Sequence, residues 1–509
     1  MARCWTRRTV LHAIIAAASL LAGCTVSGSV QQQQAQALAN ATATPTAGPT
    51  ATAAGTAGAT PSSSPGPLPT FTPGGKTAVR FGGAGSSAEL DAYDAAATAY
   101  AKATPNITVT VDRQSAANAS TLAAALAANT APDIITVPWD SLGAWSAQGV
   151  LDDLTALLGA GKVDLSGDYS LLQDFATIGG STVALPLSYN PRVLYINSDL
   201  FNAAGLKAPG DTFEWSAFEA AATAISGMST HTGFVPGADP FDWLPWVWAA
   251  GGSVFDDDLV PTTCTLTDTP SATGLQRYAD LWLQHRGSIA PTVTSGSTAL
   301  ASFLGGKVGM IAGDRSTLAS LKPASFKWQV TYLPQGPGGH ATTYSATLVA
   351  VSKSSRQPLV AGNFAGYLAT DTTTQGLLAR TGAVVPALRS AAESADFKFA
   401  GTAVDDAVFT RSLLFAYQPP RTAAWSQVQG AWNPDLQKLW AGQQSAADAA
   451  KSLVAKVNTA LKGVSATPTV QPFAIQPPPP TPAPTATAAA KPTAAPTVVP
   501  LGGTPPPHP

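Results

Sequence analysis

Cysteine is scarce in this chain of 509 residues, which contains only three. Two of them, Cys4 and Cys24, lie at the N-terminus, so the rest of the chain keeps Cys264 alone. A single thiol cannot form an internal disulfide, and it cannot supply the several thiolates of a cysteine-based zinc site. The sequence therefore excludes a fold held together by internal disulfides or by such a zinc ion.

Charged residues are also few, at 11% of the chain, and both flanks almost lack them. Residues 25–75 and 466–509 are rich in Ala, Thr and Pro, and their only charged side chain is Lys491. Such stretches cannot bury enough apolar surface to offset the entropy of ordering. We expect both flanks to be disordered, extended linkers, which leaves residues 76–465 for the folded part.

The folded part contains more acidic than basic residues. The chain has 28 Lys and Arg against 30 Asp and Glu, and Arg3, Arg7, Arg8 and Lys491 lie outside the folded part, whose net charge is therefore −6. A nucleic-acid-binding domain would carry a basic stripe. We therefore expect no nucleic-acid partner.

Motifs of catalysis and of metal binding are missing as well. His231, His285 and His340 show no paired metal-ligand spacing, and the chain has no H-E-x-x-H, G-x-S-x-G or phosphate-loop motif. We interpret the three consecutive aspartates at 256–258 as a solvated turn. The sequence thus predicts no enzyme activity, no catalytic residue, no metal and no cofactor. A glycan-active enzyme whose acid and base lie far apart in sequence remains an open alternative.

The N-terminus has the pattern of a secretory signal peptide. Three early arginines precede the apolar residues 10–21, a stretch too short to cross about 30 Å of hydrocarbon as a helix. The following Leu-Ala-Gly-Cys at 21–24 resembles the bacterial lipobox, whose cysteine is acylated before cleavage makes it the new N-terminus. We expect residues 1–24 to be a lipoprotein signal peptide and Cys24 to anchor the protein at the extracytoplasmic face of the bacterial cell membrane. Ordinary secretion with a chance cysteine is the alternative.

Hydrophobic periodicity predicts alternating strands and helices at the start of the folded part. The predicted elements are a strand at 77–81, a helix at 88–104, a strand at 107–111, a helix at 121–128 and a strand at 133–137. This order predicts an α/β fold with a parallel sheet and right-handed crossovers. Ligands of such sheets bind beyond the carboxyl ends of the strands, here at the loops 82–87 and 138–141.

Six short motifs follow one another between residues 132 and 352. They are PDII at 132–135, GVLDDL at 149–154, LPL at 185–187, LYINSDLF at 194–201, FLGGKVGM at 303–310 and LVAVS at 348–352. In type and order they resemble the motifs of the extracellular solute-binding proteins of ABC importers, in the maltose-binding-protein-like group. The resemblance covers nearly all of residues 76–465.

The resemblance implies a two-lobe, periplasmic-binding-protein-like fold of type II with the ligand in a cleft between the lobes. It places lobe one at about 76–186 and 328–369. Lobe two is then expected at about 187–327 and 370–465.

A sugar presents hydroxyls around its rim and C–H groups on its faces, so its site needs aromatic rings together with amide, carboxylate or guanidinium groups. Residues that satisfy this need stand at positions that match the ligand-contacting segments of the family. The candidate ligand-binding residues are Trp139, Tyr189, Phe241, Asp242, Trp243, Asp314, Arg315, Tyr344, Ser86 and Ser87.

Several of these candidates have a structural alternative. Trp243 can belong to the core instead of the site. Asp314 and Arg315 can cap and solvate the following helix, at a place where the family often carries a Trp. Ser86 and Ser87 can merely cap a helix N-terminus.

The resemblance also implies a function. A membrane-anchored receptor of this kind binds a small polar solute, here a sugar or oligosaccharide, closes around it by a hinge motion and delivers it to the transmembrane subunits of an ABC permease. It is expected to act as a monomer. A surface glycan-binding or sensory protein without transport is a further alternative, to which the Pro-rich tail lends weight.

Overall fold

The computed structural model describes residues 75–113, 119–159, 163–228, 230–284, 287–288, 295–399 and 404–463. The predicted signal peptide with Cys24, nearly all of the N-terminal linker and the C-terminal tail lie outside these residues. Their expected roles therefore stay predictions.

The strands are short and rich in Val, Ile, Thr and aromatic residues, the types that suit a pleated surface. In chain order they are β1 (Thr77–Gly82), β2 (Ile107–Val111), β3 (Ile134–Pro138), β4 (Thr177–Ile178), β5 (Ser181–Thr182), β6 (Leu185–Pro191), β7 (Val193–Asn197), β8 (Thr232–Val235), β9 (Val308–Gly313), β10 (Trp328–Thr331), β11 (Thr342–Val351), β12 (Val385–Pro386) and β13 (Ala416–Tyr417).

Several helices begin where the sequence supplies a capping side chain. Ser86, for example, forms a reciprocal capping box with Glu89, whose carboxylate accepts from the Ser86 amide at 2.8 Å. The helices are α1 (Ser87–Ala103), α2 (Ala119–Ala127), α3 (Trp139–Ala147), α4 (Thr155–Gly159), α5 (Ser170–Ala176), α6 (Ser198–Ala203), α7 (Trp215–Ser226), α8 (Pro240–Ala249), α9 (Thr269–Leu283), α10 (Ser295–Leu304), α11 (Thr317–Leu321), α12 (Pro358–Thr370), α13 (Thr372–Arg380), α14 (Arg389–Ala392), α15 (Ala407–Arg411), α16 (Trp425–Trp440) and α17 (Ala446–Lys462), with 3-10 turns at Ala395–Phe397 and Ser412–Phe415. Of the described helices, none is both long and apolar enough to span a membrane.

The first lobe is built on a mixed sheet with the strand order β12-β6-β11-β3-β1-β2, to which β13 adds at β11. β1 pairs in parallel with both β2 and β3, which confirms the parallel arrangement predicted for the first part of the chain. The later strand β11 runs antiparallel between β3 and β6. Phe81 and Phe364 are buried at the centre of this lobe.

The second lobe is built on a four-stranded sheet with the order β10-β7-β9-β8. β8 and β9 are parallel, whereas β7 pairs antiparallel with both β9 and β10. Helices α7, α8, α9, α16 and α17 supply its core, in which Phe218, Trp246, Tyr278 and Trp432 are buried. The fold is the expected two-lobe α/β arrangement.

The boundaries between the lobes differ from those expected. β6 stays in the first sheet up to Pro191, so the first crossing lies after residue 191 instead of 186. β10 belongs to the second sheet. The chain therefore returns to lobe one after Thr331, whereas the return was expected at about residue 328. The stretch from residue 370 to Tyr417, expected in lobe two, supplies β12 and β13 to the first sheet. Periodicity identifies strands but does not say which sheet they join.

Candidate functional site

Within the described residues, the chain passes between the lobes at three places, namely from β6 to β7, from β10 to β11 and from β13 to α16. Arg192 lies in the first crossing, and its backbone amide donates to the carbonyl of Thr343 at 2.9 Å. Its carbonyl accepts from the Thr342 hydroxyl at 2.6 Å. The Thr343 hydroxyl in turn donates to the carbonyl of Tyr417 at 3.3 Å. Hydrogen bonds therefore hold the three crossings side by side.

Two aromatic rings from opposite lobes meet beside these crossings. Trp139 opens α3 in lobe one, and its ring stacks on Phe241 of α8 in lobe two, with centroids 4.9 Å apart and planes 28° apart. Trp139 also meets the ring of Trp425, which opens α16, edge-on at 5.4 Å. Trp139 and Phe241 stay partly exposed, whereas Trp425 is buried. The structure thus brings together two of the predicted ligand-binding residues from separate lobes.

Local sequence explains why both rings stand at this junction. Pro138 has an extended backbone and is followed at once by the first turn of α3, so Trp139 emerges where β3 ends. In lobe two, Asp239 caps α8 by accepting from the Phe241 amide at 2.9 Å, and Pro240 occupies the first helical turn. Side chains of both first turns therefore project at the meeting point of the lobes.

Asp242, another predicted site residue, forms an ion pair with Arg192. The Nη2 and Nε atoms of Arg192 lie 2.5 and 3.1 Å from Oδ1 of Asp242. Burial would lower the pKa of Arg192, but the carboxylates of Asp242 and Asp314 outweigh it and raise that pKa. Arg192 thus remains a cation, and it ties the first turn of α8 to the first crossing.

Two further carboxylates come from the two lobes, Asp140 beside Trp139 and Asp239 before Phe241. Solvent reaches both groups, but the protein around them limits their hydration, which raises the pKa of each. The negative charge of Asp242 raises the pKa of Asp239 further, and that of Asp140 adds to it. The junction therefore combines an aromatic surface with oxygen acceptors on either side, a combination that suits a polyhydroxyl ligand.

Trp243 lies in the core of lobe two and not at the junction surface, which corrects the expectation that it contacts ligand. Its side chain is 0% exposed, and its ring meets Trp432 edge-on at 5.1 Å. Trp246 and Trp248 are buried as well. α8 is buried on almost every side, so most of its rings have core neighbours.

Arg315 is likewise not a ligand clamp in this structure. Its side chain is 0% exposed, and its Nη1 atom lies 2.5 Å from Oδ1 of Asp406. The neighbouring Asp314 accepts through its carboxylate from the amide of Ser316 at 2.9 Å and through its carbonyl from Tyr195 at 2.6 Å. Asp314 therefore holds a local turn before α11, whose N-cap is Ser316, so Asp314 does not cap the helix as its structural alternative expected. Arg315 is buried in an ion pair, which neither alternative described.

The remaining candidates are divided between core and surface. Tyr189 and Tyr344 are 1% and 0% exposed and pack edge-on with centroids 6.4 Å apart. Their rings are part of the core that links the lobes, so neither reaches the junction surface. Ser86 and Ser87 are exposed at the start of α1, where Ser86 acts as the helix cap. The capping alternative agrees with the structure for Ser86, whereas Ser87 is the first residue of the helix.

Four residues of the junction were not among the sequence-based candidates, namely Asp140, Arg192, Asp239 and Trp425. Asp140 has a recognisable signal, because it lies in the loop 138–141 that was expected to face a ligand. Arg192 follows Asn-Pro at the end of a strand, and only the assignment of the lobe crossing marks it. Trp425 opens a helix far along the chain, and nothing local relates it to Trp139.

No cluster of three His, Cys, Asp or Glu side chains that would suit a metal ion occurs in the part of the chain that the structure describes. Cys264, the single cysteine of the folded part, is buried and unbonded. Burial raises the pKa of its thiol to about 11, so it stays protonated near neutral pH.

Comparison with known proteins identifies similar sequences over most of the folded part. A family model described as bacterial extracellular solute-binding protein matches residues 95–405. An uncharacterised lipoprotein of Streptomyces antibioticus is 28% identical over 235 residues, which are 44% of this chain and 51% of that protein. The match thus spans about half the length of this relative. A protein of Brucella abortus named as a binding protein is 25% identical over 305 residues, 56% of this chain and 70% of that protein.

Solved structures show the same fold. An ABC substrate-binding protein from Listeria monocytogenes, in complex with cycloalternan, superposes with a TM-score of 0.68 at 22% identity and covers 76% of this chain and 99% of that one. The cyclic alpha-maltosyl-1,6-maltose binding protein from Arthrobacter globiformis gives a TM-score of 0.67 at 20% identity, with 76% and 100% of the two chains covered. At such identities the likeness establishes the two-lobe fold.

Proposed function

Because the chain belongs to the bacterial extracellular solute-binding protein family, we propose that it is the substrate-binding receptor of an ABC importer for a sugar or oligosaccharide. The observation that carries the proposal is the stacked pair Trp139 and Phe241, contributed by opposite lobes and flanked by the carboxylates of Asp140 and Asp239. The sugar ligands named for several proteins of the same fold support this choice of ligand class.

Each part of the junction has a task in this proposal. The aromatic pair packs against the C–H face of a sugar ring and so provides apolar contact area and orients the ring. The carboxylates of Asp140 and Asp239 accept hydrogen bonds from the hydroxyls at the rim of the sugar. Since the two carboxylates come from different lobes, a ligand that binds both favours lobe closure over opening. No bond of the ligand is made or broken, so the receptor releases it unchanged.

Membrane attachment is the second part of the proposal. Acylation of Cys24 would hold the receptor at the outer face of the cell membrane, near its permease. The name lipoprotein given to the Streptomyces relative supports this anchor. Several acyl chains on one residue give durable attachment, whereas a single chain binds only marginally.

A thermal-shift screen of the full-length chain tests the ligand class. The probes are maltose, maltotriose, trehalose, raffinose and xylobiose, with glycerol 3-phosphate and a tripeptide as non-sugar probes. We expect at least one sugar to raise the melting temperature in a concentration-dependent way, because binding to the folded state alone stabilises it. A shift with the tripeptide alone contradicts the sugar assignment but leaves a solute receptor, and conversion of a bound sugar to a product contradicts the receptor itself.

A further inference from the structure

Arg315 follows β9 of the second lobe, yet its contacts are with residues near the other end of the chain. Its guanidinium pairs with Asp406 at 2.5 Å and donates to the backbone carbonyl of Phe397. The same guanidinium lies over the ring of Phe397, 3.6 Å from its centroid, and 5.1 Å from that of Phe409. The guanidinium of this 0% exposed side chain thus has a carboxylate, a carbonyl and two ring contacts, whereas its Nε–H has no hydrogen-bond partner among the described residues.

These partners belong to a segment attached to lobe one, residues 395–399 and 404–417, which we call the strap. At its start, Asp396 forms an ion pair at 2.5 Å with Arg380 of α13. At its end, β13 pairs with β11 of the first sheet. Within it, the Phe399 amide donates to the second carboxylate oxygen of Asp406 at 3.0 Å, which fixes Asp406 toward Arg315.

A second contact joins the strap to the same part of lobe two. The ammonium group of Lys322, which follows α11, lies 4.9 Å from the ring centroid of Phe399. A cation over an aromatic ring is attracted by the ring quadrupole. Two cations of lobe two, Arg315 and Lys322, therefore hold two successive aromatic positions of the strap.

We propose that Arg315 and Asp406 form an interlobe lock that keeps the two lobes together in the ligand-free protein. Separating the strap from β9 would expose the guanidinium and leave the Phe397 carbonyl and the Asp406 carboxylate without their strongest partner. Because the ion pair, the hydrogen bond to Phe397 and the ring contacts are lost together when the strap leaves β9, the lock shifts the ligand-free population toward the closed arrangement. The lock uses only the two-lobe fold and does not depend on the identity of the ligand.

The lock also gives Arg315 a role at the place where the family often carries a Trp. A side chain at this position projects from the end of β9 toward lobe one. An aromatic ring there would offer a surface to a ligand, whereas Arg315 offers a charge that lobe one neutralises. The position then controls the separation of the lobes instead of contacting the solute.

Electron–electron distance measurements on the ligand-free, full-length chain test the lock. Spin labels are attached through p-acetylphenylalanine at Lys102 of α1 and Lys451 of α17, both exposed and in different lobes. This chemistry avoids the three cysteines. With Arg315 intact we expect one distance population, and Arg315→Met should add a second, longer one.

A matched control breaks an ion pair of the same length inside lobe two, between α9 and α7. Arg277→Met removes the 2.5 Å pair with Glu219 and should leave the distance distribution unchanged. Asp406→Asn keeps the shape of the lock but removes its charge, and it gives the answer if Arg315→Met does not fold. An unchanged distribution in whichever of these two lock variants folds overturns the proposal, as does an equal change in Arg277→Met.

Discussion

Arg192 reaches from the first lobe crossing to Asp242 in the first turn of α8, with Nη2 2.5 Å from the carboxylate. Its backbone is bonded at the same time to Thr342 and Thr343 of the second crossing. One residue therefore connects the hinge with the helix that presents Phe241. This links the geometry of the crossings to the geometry of the proposed ligand-binding surface.

Replacing Arg192 with Met should destabilise the protein and weaken ligand binding together. The Asp242 carboxylate would stay buried without its cation, and breaking such a pair costs about 3 kcal/mol. Urea unfolding of the two proteins measures the loss. Arg277→Met is the control, because its partner Glu219 is buried in the same lobe but stands away from the junction. A loss of stability in both variants is expected, but a loss of affinity per folded molecule only in Arg192→Met.

Trp139→Ala and Trp243→Ala should have opposite effects. Trp139 is partly exposed at the junction, so its loss should cost only about 1 kcal/mol of stability but lower ligand affinity about tenfold or more. Trp243 is 0% exposed in the core, so its loss should cost about 3–5 kcal/mol and leave affinity per folded molecule nearly unchanged. Chemical unfolding and calorimetry on both variants check this. Equal affinity losses in the two variants would show that Trp139 has no specific part in ligand binding.

The buried carboxyl group of Asp168 should make the stability of the protein fall as pH rises. Burial raises its pKa to about 8, whereas the unfolded chain titrates near pH 4. The folded state therefore holds a proton that the unfolded state has lost, and between these two values stability falls by up to about 1.4 kcal/mol per pH unit from this group. In Asp168→Asn the decline of stability with pH should become smaller, because Asp140, Asp239 and Asp258 also have raised pKa values and keep their own contributions.

Urea unfolding at pH 5 and pH 7.5 measures the effect. Asp153→Asn is the control, because hydrogen bonds from Thr155 lower the pKa of Asp153, so any contribution it makes has the opposite sign. If the free energy of unfolding of Asp168→Asn depends on pH in the same way as that of the unchanged protein, Asp168 does not cause the loss of stability at higher pH.

Cys24→Ala should release the protein from the membrane. The unchanged chain, expressed in a bacterium with lipoprotein processing, should partition into the detergent phase of a Triton X-114 extraction and take up labelled fatty acid. The variant should do neither and should appear in the soluble extracytoplasmic fraction. Membrane retention of the variant would point to a different anchor.

Periodicity alone predicts the first half of lobe one. The alternating residues of β2 and the helical spacing in α1 reflect half-buried elements, and the parallel pairing of β1 with β2 and β3 follows from their order. The same reasoning cannot assign β10 to a sheet, because a short strand has the same pattern in either one. The lobe boundaries therefore cannot be predicted from periodicity, and they become clear only from the observed pairing of β10 with β7.

The site was harder to predict for two physical reasons. α8 is buried along nearly its whole length, so spacing does not separate Phe241 at the junction from Trp243 in the core. Arg315 meets Asp406 from 91 residues away, so no local pattern reveals that its charge is neutralised inside the protein. Trp139 could be found because it follows a strand, where a parallel sheet presents its ligand loops.

We propose that the lobe junction holds a sugar and leaves it unchanged. Isothermal titration calorimetry of the full-length chain with the sugar selected by the thermal-shift screen tests it most directly, when mass spectrometry of the recovered ligand is added. We predict one ligand per chain, a loss of binding in Trp139→Ala and a recovered sugar of unaltered mass. If both Trp139→Ala and Asp140→Ala bind the sugar as strongly as the unchanged protein, the junction is not its binding site. A sugar recovered as fragments would show that the protein is an enzyme.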